Sequence, residues 1–136
     1  MNRKMCFVAM VLSLIVMLVI GCKEKGLDGV WTGKEVEAGD QVWTFTFAGD
    51  KVRVESDEGS WFDMTIQLIE NSQPRQAMLH VDDSSVYGAV GLELKSIYQM
   101  KGKQLTIVVN DPQQSDVMPT SFEKSWETRV FELTRK

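Results

Sequence analysis

Val42-Trp43-Thr44-Phe45-Thr46-Phe47 is the stretch on which the fold turns. Trp43, Phe45 and Phe47 fall on one face and Val42, Thr44 and Thr46 on the other, the period of two of a strand with one buried side. Ala48-Gly49-Asp50-Lys51 supplies turn residues, and beyond it Val52 and Val54 alternate with Lys51, Arg53 and Glu55. Two alternating runs joined by a short Gly-containing turn predict a hairpin. Upstream, Gly29-Val30-Trp31 opens a β-branched and aromatic run to Val36, separated from the hairpin by Ala38-Gly39-Asp40.

The pattern repeats downstream. Phe62, Met64, Ile66 and Leu68 alternate with Trp61, Asp63, Thr65 and Gln67, and Asn71-Ser72-Gln73-Pro74 breaks the chain. Ala77, Leu79 and Val81 mark a fifth strand, Leu92 to Met100 a sixth and Leu105, Ile107 and Val109 a seventh. Arg129, Phe131, Leu133 and Arg135 share one face of the last. Asp82 to Val90 and Asp111 to Ser121 are the two long loops, and a single helical turn is expected before Trp31 or within Phe122 to Trp126. About eight short strands at regular spacing predict an all-β domain. Sequential hairpins in an even-numbered set favour an up-and-down antiparallel barrel, because closure removes unpaired edges.

The amino terminus has a different character. Arg3 and Lys4 precede an apolar run from Met5 to Ile20 that ends in Gly21-Cys22, the form of a secretory signal with a lipobox. The reading is a lipoprotein signal peptide over residues 1–21, lipid on the Cys22 thiol, a short charged tether over 22–28 and the barrel over 29–136. A plain signal peptide or a retained anchor helix is the alternative, but a spanning helix wants ~20 apolar residues. The expected location is the cell envelope, and the outer membrane rather than the inner where a cell has both, since Lys23 and no aspartate follows the cysteine. The two cysteines are Cys6 and Cys22, so removal of the signal leaves no pair for a disulfide.

The whole chain carries a formal charge of −4, and loss of Arg3 and Lys4 makes the remainder more acidic. Such a surface repels phosphate backbones, which argues against a nucleic-acid partner and assigns membrane contact to the lipid alone.

Gly29-Val30-Trp31 is similar to the G-x-W motif of the lipocalin (calycin) superfamily. Ser96-Ile97-Tyr98-Gln99-Met100-Lys101-Gly102-Lys103-Gln104-Leu105, followed by Pro119-Thr120-Ser121-Phe122, resembles bacterial lipocalin-like domains of extracytoplasmic proteins, with Ser96 where their pattern usually has glycine. The resemblance spans Leu27 to Lys136. It implies that Trp31 plugs one end of the barrel and that a basic residue of the last strand packs over it, Arg135 first and Arg129 as the spare.

Candidates for chemistry are few. His80 is the single histidine, with Asp82 on the same strand face and Asp83 beside it, but no second His or free Cys completes a metal site. Ser84 or Ser85 with His80 and Asp82 spells a triad only on paper, since neighbours on one strand and loop cannot surround an imidazole from both ring nitrogens. Glu55, Asp57 and Glu58 form a charged turn without the spaced ligand pattern of a calcium loop. The expectation is a non-enzyme with no cofactor and no metal.

The aromatic face has two readings. Trp43, Phe45, Phe47, Phe62 and Met64, with Tyr98 at the wall, either fill the interior as core or line a pocket for an apolar molecule. Eight strands leave room for either. Two functions follow: binding of a small hydrophobic ligand, or docking of an envelope protein on the long loops.

Overall fold

The computed structural model describes residues 26–136, so the signal peptide, Cys22 and most of the tether lie outside the described residues. Eight strands follow in chain order: β1 (Gly29–Glu35), β2 (Val42–Ala48), β3 (Lys51–Ser56), β4 (Trp61–Ile69), β5 (Arg75–Ser84), β6 (Glu93–Lys101), β7 (Gln104–Asn110) and β8 (Thr128–Arg135). Each pairs antiparallel with its neighbour in sequence, and β1 pairs with β8, which closes an up-and-down barrel.

The period of two found in β2 sets the inside of this barrel. Trp43, Phe45 and Phe47 are all buried, as are Val52 and Val54 opposite them on β3. The same interior receives Met64, Ile66, Leu79, Leu105, Ile107, Phe131 and Leu133. Outward residues of β2 to β5 are mostly polar, with Val42, Trp61 and Met78 among the exceptions, as expected of a sheet with one wet face.

On β6, β7 and β8 one outward residue of each strand is apolar and buried. Ile97, Val108 and Val130 form a second buried cluster, covered by Val36, Met118 and Phe122. The β7–β8 connection therefore folds back over the barrel wall. Asn110 fastens it, its Oδ1 accepting from Lys95 N at 2.7 Å and its Nδ2 donating to Ser115 O at 2.6 Å.

Three expectations need correction. Asp82 to Ser84 belong to β5 rather than to a loop: the register shifts between Asp63 and Met64, so Asp82 is the extra residue of a bulge and the strand continues to Ser84. The β7–β8 connection runs on past Ser121 to residue 127. No helical turn forms among the described residues. Before Trp31 the carbonyls of Gly26, Leu27 and Asp28 accept from side chains instead. Near Phe122, Ser121, Ser125 and Thr128 hydroxyls bond to nearby amides and compete with helical bonding.

Gly33 shows why β1 and β8 close so tightly. A Cβ there would meet Glu132 O at 1.9 Å, a backbone atom that cannot swing aside. Gly33→Ala is expected to lower stability by ~1–3 kcal/mol through forced separation of the closing strands, measured as a shift in the denaturant midpoint. An unchanged midpoint would mean that the two strands are not in contact at this level.

Candidate functional site: an open cavity beneath the long loops

The ends of the barrel are unlike. At one, Trp31 is fully buried, with its Nε1 donating to Leu27 O at 2.9 Å. Arg135 lies opposite it in register, its guanidinium 4.1 Å from the ring centroid. That guanidinium also donates to Asp28 O at 2.7 Å and Gly26 O at 3.0 Å, so one cation ties the entering chain, the first strand and the last. Gly29 makes room for it: its φ is 129°, and a Cβ would sit 2.9 Å from Arg135 Nη1.

Arg129 does not share this task. Six residues earlier on β8, it lies ~20 Å away along the strand, at the opposite end. Its Nη2 donates to Glu35 Oε1 at 2.6 Å, and its guanidinium stands 5.8 Å from the Trp43 ring and 5.6 Å from the Phe131 ring. It cannot serve as a spare for Arg135.

Away from Trp31 the core gives way to an opening. A cavity of about 530 Å³ opens at the end away from Trp31. Trp43, Phe45, Phe62 and Met64 line it, with Leu79, Val81, Leu94, Val109 and Phe131 from the other strands. Arg129 with its Glu35 partner stands at its wall, and Val86 to Ala89 and Asp111 to Gln113 frame the mouth. The walls are aromatic and aliphatic, with polar groups gathered near the opening. Apolar walls with a few polar groups at the opening are the general make-up of small-molecule pockets.

Two of the six residues expected at a pocket lie elsewhere. Phe47 pairs with Gly29 and Val52 at the plugged end, where it stacks on Phe45 with centroids 6.2 Å apart and is core. Tyr98 pairs with Arg75 and Ile107, also toward that end, and lines a separate groove. Period two assigns a face, and distance along the strand decides which end of the barrel a residue serves. The two readings of the aromatic face thus meet in one barrel. Phe47 and Tyr98 lie in the core away from the cavity, while Trp43, Phe45 and Met64 are buried core residues that also border the opening, with the partly buried Phe62 packed against them.

The polar candidates form no convergent site. His80 Nδ1 lies 2.7 Å from Glu93 Oε1 and its Nε2 3.8 Å from Asp82 Oδ1, on the outer face. Ser84 Oγ donates to Trp61 O at 2.8 Å, and Ser85 Oγ accepts from Trp61 N at 2.9 Å, so both hydroxyls bond to backbone and not to the imidazole. Asp57 Oδ1 accepts from Val42 N, and Glu55 pairs with Arg53. Among the described residues no group of three or more His, Cys, Asp and Glu is placed to hold a metal ion.

Two surface pairings were not read from the sequence. Arg53 lies 4.4 Å from the Trp61 ring centroid and donates to both Asp63 oxygens at 2.9 Å, which raises its already high pKa. The Thr65 hydroxyl donates to Asp82 at 2.6 Å and, with Lys51 and His80 nearby, holds that carboxyl below the usual carboxylate range. A carboxyl whose folded pKa is depressed contributes stability at neutral pH that is lost as pH falls through its folded value. Asp82→Asn should therefore flatten the acid limb of the stability curve below the usual aspartate value of ~3.9. The check is urea unfolding across that range, and an identical acid limb in both proteins would remove Asp82 from the account.

Compared with protein-family models, with curated proteins and with solved structures, the chain finds no match in any of the three.

Proposed function

We propose that this protein is an envelope lipoprotein, anchored through Cys22, whose lipocalin-like barrel holds one small hydrophobic molecule and carries out no catalysis. The observation that supports this reading is the cavity of about 530 Å³ inside a closed eight-stranded barrel. Its size falls within the ~300–1,000 Å³ of small-molecule sites. The plug of Trp31 under Arg135 is what the lipocalin resemblance implies for the other end.

The orientation also fits a carrier. Gly26 enters at the plugged end, and the four Cα-to-Cα steps from Cys22 to Gly26 span at most ~14 Å. A lipid on Cys22 thus brings the plug toward the bilayer and turns the mouth to the aqueous side.

Residues 26–136 contain every strand of the closed barrel, so a soluble fragment of those residues serves for the binding test. Titration with an apolar dye whose emission shifts on leaving water should saturate at one dye per barrel. A linear, unsaturable signal would contradict an accessible cavity. For the anchor, Cys22→Ser should leave an unprocessed precursor in the cell. Processing after Gly21 with retention in the membrane would refute lipidation.

A second reading rests on the rim. Val86, Tyr87 and Val90 expose apolar surface beside the mouth, with Tyr87 fully exposed. An envelope protein docking there would use the long loops without filling the barrel. Dye competition separates the readings, because a docked protein leaves the inner walls free.

A further inference from the structure

Charge is segregated along the barrel axis. The strand ends and turns of the plugged end bring Arg75, Lys101, Lys103, Arg135 and Lys136 together against Asp28, Asp50 and Glu70. The loops of the open end carry Glu37, Asp40, Asp57, Glu58, Asp111 and Asp116, and Lys34 and Lys95 near them are already paired with Asp40 and Asp116. Among the described residues no carboxylate lies within ion-pair distance of Lys101, Lys103 or Lys136. Net charge averages over two ends of opposite sign.

The plugged end also has an apolar tip. β3 begins at Lys51, and the last bond at that corner joins Ile66 N to Asp50 O. Gln67 to Ile69 therefore project ~10 Å beyond β3, paired only with β5. Leu68 is 50% exposed and Ile69 36% exposed on this projection. Beside it runs a groove of about 530 Å³ lined by Pro74, Arg75, Tyr98, Met100, Lys103 and Arg135. Apolar side chains at a tip with cations just behind them match the layering of acyl chains beneath phosphates.

We infer that the plugged end is a seat for an anionic lipid bilayer. Leu68 and Ile69 enter the boundary between headgroups and acyl chains, Lys101, Lys103 and Lys136 lie at phosphate level, and the groove takes a headgroup phosphate against Lys103. The polypeptide itself points to this occupant, because it enters the barrel here, directly after the apolar run of Met5 to Ile20 and Cys22. The acidic mouth is repelled by the same surface, so charge alone sets the barrel upright. This inference departs from the expectation that membrane contact comes from the lipid alone, which rested on net charge. The inference extends the anchoring part of the proposed function and holds for a lipid or a helical anchor.

The test uses the full chain with vesicles of phosphatidylcholine alone and of phosphatidylcholine with phosphatidylglycerol. Floated protein is treated with an amine-acylating reagent and its lysines are quantified by mass spectrometry. Lys101 and Lys103 should be labelled roughly fivefold less on the anionic vesicles, and the protection should vanish in 1 M salt, where screening acts within ~3 Å. Lys34, at the open end, should label equally on both. Leu68→Asp with Lys101→Glu changes only exposed positions and should abolish the protection of Lys103. Equal labelling of Lys103 on both vesicles, or protection of Lys34 instead, would overturn the seat. Flotation with anionic vesicles only would refute the anchor and support the seat, and flotation with neither would overturn both.

Discussion

Trp31→Ala should cost ~3–5 kcal/mol of stability, the range for truncating a large buried aromatic. Trp31 is the largest side chain wholly removed from solvent, and it holds together the entering segment, β1 and β8. Its loss opens a cavity under Arg135 and leaves Leu27 O without its donor. Arg135→Ala should cost less, because its guanidinium is partly exposed and a cation over an indole contributes ~0.5–2 kcal/mol. In a double-mutant cycle the two should couple, since the second substitution removes a partner already lost. Additive costs would show that plug and cap act independently. The measurement is chemical denaturation of the four proteins.

Phe45→Ala is the second large effect, and it reads the border between the packed core and the cavity. Phe45 is 3% exposed, stacked on Phe47 and 5.2 Å from the Phe131 centroid, yet it also borders the cavity. The ring is packed on most sides and meets the cavity over only a small part of its surface. The expected loss is ~3 kcal/mol, at the lower end for Phe→Ala because fewer contacts are forfeited. The enlarged cavity should still take up an apolar dye, with weaker affinity for want of the ring. A loss near zero would mean that the ring has no packed side, and abolished binding with full stability would make Phe45 purely a pocket wall.

The strands were legible because the interior and exterior of β2 to β5 differ in polarity, so that Trp43-Thr44-Phe45-Thr46-Phe47 states its own period. The closing pair was legible for a different reason, the G-x-W motif with Arg135, and the close fit of Gly29 and Gly33 supplies its physics. The bulge at Asp82 was not, since two aspartates in a row look like a loop until the β4 register is known. The second cluster had a readable signal: Ile97, Val108 and Val130 are apolar on the face opposite the core, which marks strands covered on both sides. The longest connection follows β7, and its Met118 and Phe122 are that cover. The cavity could not be read from pattern at all. Whether Trp43 and Phe62 meet Leu79 and Leu94 or stand off from them depends on barrel radius, which no local period encodes. The same is true of the two charged ends, because which strand ends share one side of the barrel follows from the up-and-down order of all eight strands.

The central claim is that the open end of this barrel carries a small apolar molecule. Native mass spectrometry of the protein purified from its own host tests it most directly, with Leu94→Trp, which projects an indole into the cavity, as the control. The account predicts a bound small molecule, distinct from any lipid on Cys22 and from the detergent, that is released on collision and missing from the variant. A mass equal to the bare polypeptide in both proteins, or an intact partner protein bound equally to both, would contradict it.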